Sequence, residues 1–238
     1  MSAIYEIGTA GWSVPAELTG EGSHLQRYSR GLRCVEVNSS FYRRHRQATW
    51  LRWGRETPPD FRFSIKAPRT ITHDARLRNV DGLLEAFLEE IAPIEEKTGC
   101  LLLQLPPSFN FETAVVEDFF ASLRRHYQRS VALEPRHASW FTEEVNDLLR
   151  AQGIARVAAD PAAGSSAAAE PGGDDRLAYF RLHGSPRTYY SNYDEAFLVG
   201  LAGRIRAREN AWVIFDNTAA SRAYFNAIRL QEILGEGG

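Results

Sequence analysis

Cysteine is almost absent from this chain of 238 residues, and the two that occur, Cys34 and Cys100, lie in apolar runs without CxxC spacing. That excludes a disulfide framework and a cysteine-based zinc site, and it fits reduced, buried thiols in the cytoplasm. No basic stretch followed by an apolar one opens the chain. No run approaches the length needed to cross a bilayer, so neither export nor membrane insertion is expected. An excess of one charge is missing too, since 28 Lys and Arg oppose 30 Asp and Glu for a net of −2. Without a global field to draw in nucleic acid or acidic membranes, any capacity to bind anions must be local. The sequence also lacks GxxxxGK[ST], HExxH, GxSxG and a GxGxxG after a strand, which disfavours P-loop, zincin, nucleophile-elbow and dinucleotide chemistry.

What is present is one alternating pattern. Short runs rich in branched and aromatic residues recur at 4–9, 34–38, 61–66, 100–105, 131–134, 154–160, 178–183 and 212–216. Helical spacings lie between most of them: Val80, Leu83, Leu84, Phe87, Leu88 and Ile91 share one face, as do Val116, Phe119, Phe120 and Leu123. Weaker versions follow around Leu25, Val145, Phe197 and Tyr224. Eight strand–helix units in a chain of this length predict an α/β fold: a single TIM-type (β/α)8 barrel of parallel strands over residues 1–238. Two places depart from the count. The second helix, 48–56, is short, and "PAAGSSAAAEPGGDD" at 161–175 has no amphipathic pattern, so a flexible loop is expected in place of helix six.

Each predicted strand from the second onward runs into polar residues. Period-two alternation sets Glu36 with Asn38, Ser64 with Lys66, Glu134 with Arg136, and Arg181 with His183 on the side facing the barrel axis. Val35, Val37, Phe63, Ile65, Val131, Leu133, Phe180 and Leu182 take the side facing the helices. Because all carboxyl ends of a parallel barrel meet at one face, these side chains should converge there, where such barrels place their sites. Paired charges could form a purely structural network. Desolvating several of them seldom stabilises more than apolar packing would, which favours a pocket. Guanidinium forks suit carboxylate or phosphate, so the expected ligand is a small anion.

Within that set Lys66, Glu134, His183 and Glu36 are the candidate catalytic residues. Trp12, Asn38, His73, Gln104, Arg136, His137, Trp140, Arg181, Asp216 and Asn217 are the candidate substrate contacts. Carboxylates flanking Lys66 should push its pKa up, which assigns it charge stabilisation rather than covalent chemistry. The histidines, with Glu36, Glu134, Asp160 and Asp216, have the ligand types of a divalent metal site, but Lys66 and Arg136 in the same cluster speak against a dication. The cofactor is therefore left unassigned. Core packing competes with ligand stacking for Trp12, Phe41 and Trp140.

The stretches "GTAGWS" (8–13), "VEVNSSFYR" (35–43), "FSIKAPRTITH" (63–73), "LLLQLPPSF" (101–109), "ALEPRHASWF" (132–141), "YFRLHG" (179–184) and "VIFDNTAASRAYFNA" (213–227) together resemble the YecE-like family, the domain of unknown function 72. The resemblance implies a TIM-type barrel with these motif residues at its carboxyl face, and it implies no chemistry. The Ala- and Gly-rich stretch after Asp160 departs from it. Three functions follow from the residues: an enzyme acting on a phosphorylated or otherwise anionic substrate, which is favoured; a metal-assisted phosphodiester hydrolase with nucleic acid as partner; or a non-catalytic binding or adaptor barrel.

Overall fold

Branched and aromatic strands separated by amphipathic helices give, in the computed structural model, a ring of parallel strands wrapped by helices; it describes residues 3–16 and 18–235. In chain order the elements are β1 (Ile4–Ala10), α1 (His24–Tyr28), β2 (Cys34–Val37), the single turn α2 (Ser39–Tyr42), α3 (Gln47–Glu56), β3 (Arg62–Lys66), α4 (Asp81–Ile91), β4 (Thr98–Gln104), α5 (Thr113–His126), β5 (Val131–Glu134), α6 (Glu143–Ala151), β6 (Ile154–Arg156), β7 (Ala158–Asp160), β8 (Gly172–Gly173), β9 (Ala178–Leu182), α7 (Glu195–Arg206), β10 (Asn210–Phe215) and α8 (Arg222–Gly235). Local chemistry fixes several boundaries. Ser23 and Gln26 close a capping box at α1, and Thr142 and Asp194 cap α6 and α7 through their side-chain oxygens.

The sheet order is β7-β9-β10-β1-β2-β3-β4-β5-β6-β8. The sixth predicted strand is divided at Val157. Its first half, β6, pairs with β5, and its second half, β7, pairs with β9, so this bent segment joins the two ends of the sheet into the expected barrel. β8 lies antiparallel on the edge of β6 that β9 does not cover.

The segment 161–175 contains no α-helix, as expected, and contacts tie parts of it to the barrel. Ser165 caps a 3-10 turn at Ser166–Ala169, whose carbonyls accept from Arg156 and Arg204. Gly173 donates its backbone N–H to Asn146 Oδ1 at 2.7 Å. Gly173 also has φ of +67°, and a side chain there would overlap the Ile154 carbonyl. Small residues serve close approach here, a use that composition alone cannot separate from flexibility.

Two apolar layers result. Val35, Val37, Phe63, Ile65, Leu101, Leu103, Val131, Leu133, Phe180, Val213 and Phe215 pack outward against the helices. Cys34, Cys100, Leu102, Ala132, Ala155, Val157, Tyr179, Trp212 and Ile214 fill the lumen. The lumen is tight at Gly8, where an added Cβ would overlap the Cys34 carbonyl. Gly8→Ala should therefore cost about 1–3 kcal/mol through overpacking, read as a lowered urea midpoint. A variant as stable as the parent would contradict a filled lumen.

Candidate functional site

Above the apolar lumen, the next inward position along six of the strands is polar, in step with alternation. Cys34 is followed by Glu36, Ser64 by Lys66, Leu102 by Gln104, Ala132 by Glu134, Tyr179 by Arg181, and Ile214 by Asp216. Arg181 is the hub of this layer, and only 1% of its surface is exposed. Its Nε and Nη2 donate to the two oxygens of Glu36 at 2.9 and 2.7 Å, its Nη1 donates to Glu134 at 2.5 Å, and its Nη2 reaches Asp216 at 3.3 Å. The fork matches a carboxylate on one edge and reaches two more on the other. Burial opposes its charge, but the three carboxylates outweigh that and hold it firmly protonated.

Secondary partners lock the hub. The Tyr179 hydroxyl donates to Glu36 at 3.0 Å and shares a 2.7 Å hydrogen bond with Ser64 Oγ. Arg136 Nε and Nη2 donate to the other oxygen of Glu134 at 2.9 and 2.8 Å. His183 sets Nδ1 against Asp216 at 2.9 Å, and its Nε2 lies 3.4 Å from Glu134. Burial alone would raise the Glu134 carboxyl, yet Arg181, His183 and Arg136 pull it well below the carboxylate range. Asp216 is also lowered, against its burial, by His183, Arg181 and Lys66. His183 moves up despite burial because it bonds both acids.

Lys66 is different. It is 7% exposed, stands at the end of β3 with Nζ 4.2 Å from the centre of the Phe41 ring, and that Nζ makes no hydrogen bond or ion pair among the described residues. The expectation of a raised pKa is reversed. Burial first, and Arg181 second, lower Lys66 to about 8, although Glu36, Glu134 and Asp216 pull the other way. The carboxylates are near, but Arg181, Arg136 and His183 already occupy them. His73 presents its ring edge to the same Phe41 at 4.8 Å and shares its Nδ1 with Thr72 Oγ1 at 2.9 Å. Burial, Lys66, Arg69 and Arg136 keep that imidazole below its ordinary pKa, so the mouth is locally electropositive around it. Beside Lys66 the Gln104 carboxamide makes no hydrogen bond within the described residues, and the buried Oδ1 of Asn38 is without a hydrogen-bond partner.

Other candidates have partners within the protein. Glu36 is fully buried and bonded to Arg181 and Tyr179, and Glu134 is bonded to Arg181 and Arg136. Arg181 has no face left for a ligand. Trp140 is fully buried, with Nε1 donating to the Phe109 carbonyl at 2.8 Å and its ring against Phe109 and Phe111. His137 Nδ1 accepts the Ser139 backbone N–H at 3.2 Å and shares a bond with Ser139 Oγ, which caps a 3-10 turn. Asn217 donates to the Ser191 carbonyl and to Asn226 Oδ1, both at 2.9 Å, and so braces the loop after β9. Trp12 is half-buried edge-on to Trp53. Tyr179 was legible but missed as a partner of Glu36, since it shares the parity of Arg181 and His183. Among the described residues no three His, Cys, Asp or Glu side chains form a set that could hold a metal ion. No helix among them is long and apolar enough to cross a membrane.

Residues 6–238 match the family described as "Protein of unknown function DUF72". UPF0759 protein YecE of Escherichia coli K12 is 34% identical over 160 residues, which cover 65% of this chain and 58% of YecE, under two thirds of that relative's length. A DUF72 family protein (TM1631) of Thermotoga maritima superposes with a TM-score of 0.78 at 28% identity, covering 98% of this chain and 99% of that one. D-Psicose 3-epimerase of Clostridium cellulolyticum, solved with D-tagatose, superposes with a TM-score of 0.55 at 8% identity over 98% of each chain, a likeness of fold alone.

Proposed function

The chain belongs to the DUF72 family, and from that premise we propose that it is an enzyme acting on a small anionic substrate at the carboxyl-terminal mouth of its barrel, with Lys66 as the group that does the chemistry. The observation that carries this reading is the solitude of Lys66. Of Lys66, Arg136, Arg181 and His183, it alone has no carboxylate bound to it. A buried ammonium without an anion is costly, and a ligand that brings one offsets that cost. Arg136, whose side chain is 23% exposed, keeps an edge toward the mouth and is the natural second contact. The network below is then a rigid, neutralised floor, while Lys66, lowered to about 8, can give or take a proton where Glu134 cannot. The metal-assisted phosphodiester alternative lacks a ligand set among the described residues to rest on.

Sulfate, whose charge is constant between pH 6 and 9, is the probe that tests this. Saturable binding is expected at pH 7 by calorimetry, weakened about tenfold or more by Lys66→Met or Arg136→Ala. Affinity should fall as pH rises through 8, because Lys66 loses its proton there. Absence of saturable binding, or binding indifferent to both substitutions, overturns the reading. Anion binding by a protein that turns over no anionic substrate would instead support a non-catalytic ligand-binding barrel.

A further inference from the structure

We infer that Lys66 is a carbonyl-reactive amine, and that the mouth's substrate is an aldehyde or ketone bearing a carboxylate or phosphate, which Lys66 Nζ captures as an imine. This deepens the preceding proposal and rests on it. The first support is compositional. Only two of the chain's 28 Lys and Arg residues are lysine, Lys66 and Lys97. Lys97 has a visible reason to be an ammonium: Nζ donates to the carbonyls of Gly54, Thr57 and Pro58 at 2.7 to 2.8 Å and to Thr57 Oγ1 at 3.1 Å, a fan of acceptors that suits a tetrahedral donor. Lys66 has no such fan. A chain that meets nearly all its needs for positive charge with arginine keeps, at the centre of its mouth, the one cationic side chain that can lose its proton and attack carbon.

Geometry supplies the second support. The amine sits at a strand end of a barrel, against an aromatic face and largely out of water, and the carboxylates able to fix it as an ammonium are already bonded to Arg181, Arg136 and His183. Its lowered pKa follows from that arrangement. His73 lies against the same ring, with Nδ1 engaged by Thr72, which leaves Nε2 to handle the protons of the reaction.

The step balances without an oxidant or reductant. One proton leaves the ammonium, the free amine adds to the carbonyl carbon, and the carbonyl oxygen is protonated. A second proton passes from the nitrogen to that oxygen, the C–O bond of the carbinolamine breaks, one water departs, and a protonated C=N bond remains. The anionic group of the substrate rests on Arg136.

Glyoxylate, an aldehyde carrying a carboxylate, is the probe. The full chain is incubated with glyoxylate at pH 8, sodium borohydride is added to reduce any imine to a stable secondary amine, and the adduct is mapped by mass spectrometry. At that pH the free-amine fraction of Lys66 is roughly a hundred times that of an ordinary lysine. Apart from the α-amino group, which is equally deprotonated at pH 8, one adduct per chain is expected, on Lys66, suppressed by sulfate and lost in Lys66→Arg. A wild-type chain that binds sulfate but forms no adduct at Lys66, or labels Lys97 as fast as Lys66, overturns the imine while leaving the anion site standing. Loss of both sulfate binding and adduct overturns the two proposals together.

Discussion

Arg181→Met is expected to lose a large part of the stability of this protein at neutral pH. The substitution removes the shared partner of three buried carboxylates. Asp216 retains His183 and Glu134 retains Arg136, but Glu36 is left with the Tyr179 hydroxyl alone. Breaking a buried ion pair by removing one member costs about 3–5 kcal/mol, out of the 5–15 kcal/mol that typically separates folded from unfolded chains. For a chain of this size that is a fall in Tm of roughly 6–20 °C. The pH dependence should also invert. In the parent, Glu134 and Asp216 titrate below their unfolded values, so their contribution is complete above the ordinary carboxylate range and is lost as acid protonates them. In the variant, acid neutralises stranded charges, so the gap to the parent narrows as pH falls toward 5. Thermal melts from pH 5 to 8 read both effects. A variant melting with the parent at pH 7 would mean that the cluster does not cohere around Arg181.

Lys66→Met is expected to do the reverse and stabilise the chain. Lys66 falls from its ordinary 10.5 to about 8, a difference worth about 3 kcal/mol of folding free energy at neutral pH. The unfolded chain holds this proton up to the higher value and the folded chain only up to the lower. Parent stability therefore carries the full penalty below pH 8 and recovers across the window from 8 to 10.5. Methionine, which can pack on Phe41 without charge, removes the penalty, so the variant should gain about 3 kcal/mol at pH 7 and nearly nothing above 10.5. Urea unfolding at pH 7 and near pH 10.5 measures this. A destabilised variant at pH 7 would assign Lys66 to the structural network, whereas a more stable chain that loses sulfate binding carries the mark of a residue kept for function.

The two substitutions divide the polar mouth into a floor that holds and a group that acts, a division the sequence shows only in part. Alternation along single strands was enough to send Glu36, Lys66, Glu134 and Arg181 to the axis and Val35, Ile65, Leu133 and Phe180 to the helices, because parity survives as long as the strand does. Beyond the strand ends it fails. His137, Trp140 and Asn217 follow turns, and the bonds that claim them, to Ser139, Phe109 and Asn226, depend on backbone that no periodicity describes. Partner choice was equally hidden. Proximity of Glu36 and Glu134 to Lys66 suggested a raised pKa, but guanidinium forks and an imidazole claim the mouth's carboxylates first and leave the amine alone in a dry place. One signal was available and unused, the scarcity of lysine. At 161–175 the small residues also allow close contact, as at Gly173 against Ile154.

That scarcity also makes the decisive measurement clean. With lysine labelled at 13Cε the chain gives two side-chain signals, one from Lys66 and one from Lys97. Following both from pH 6 to 11 by NMR should show one midpoint close to 8, in the signal that Lys66→Met removes. If that signal instead titrates at or above 10, Lys66 is an ordinary paired ammonium, and the reactive mouth proposed for this barrel does not exist.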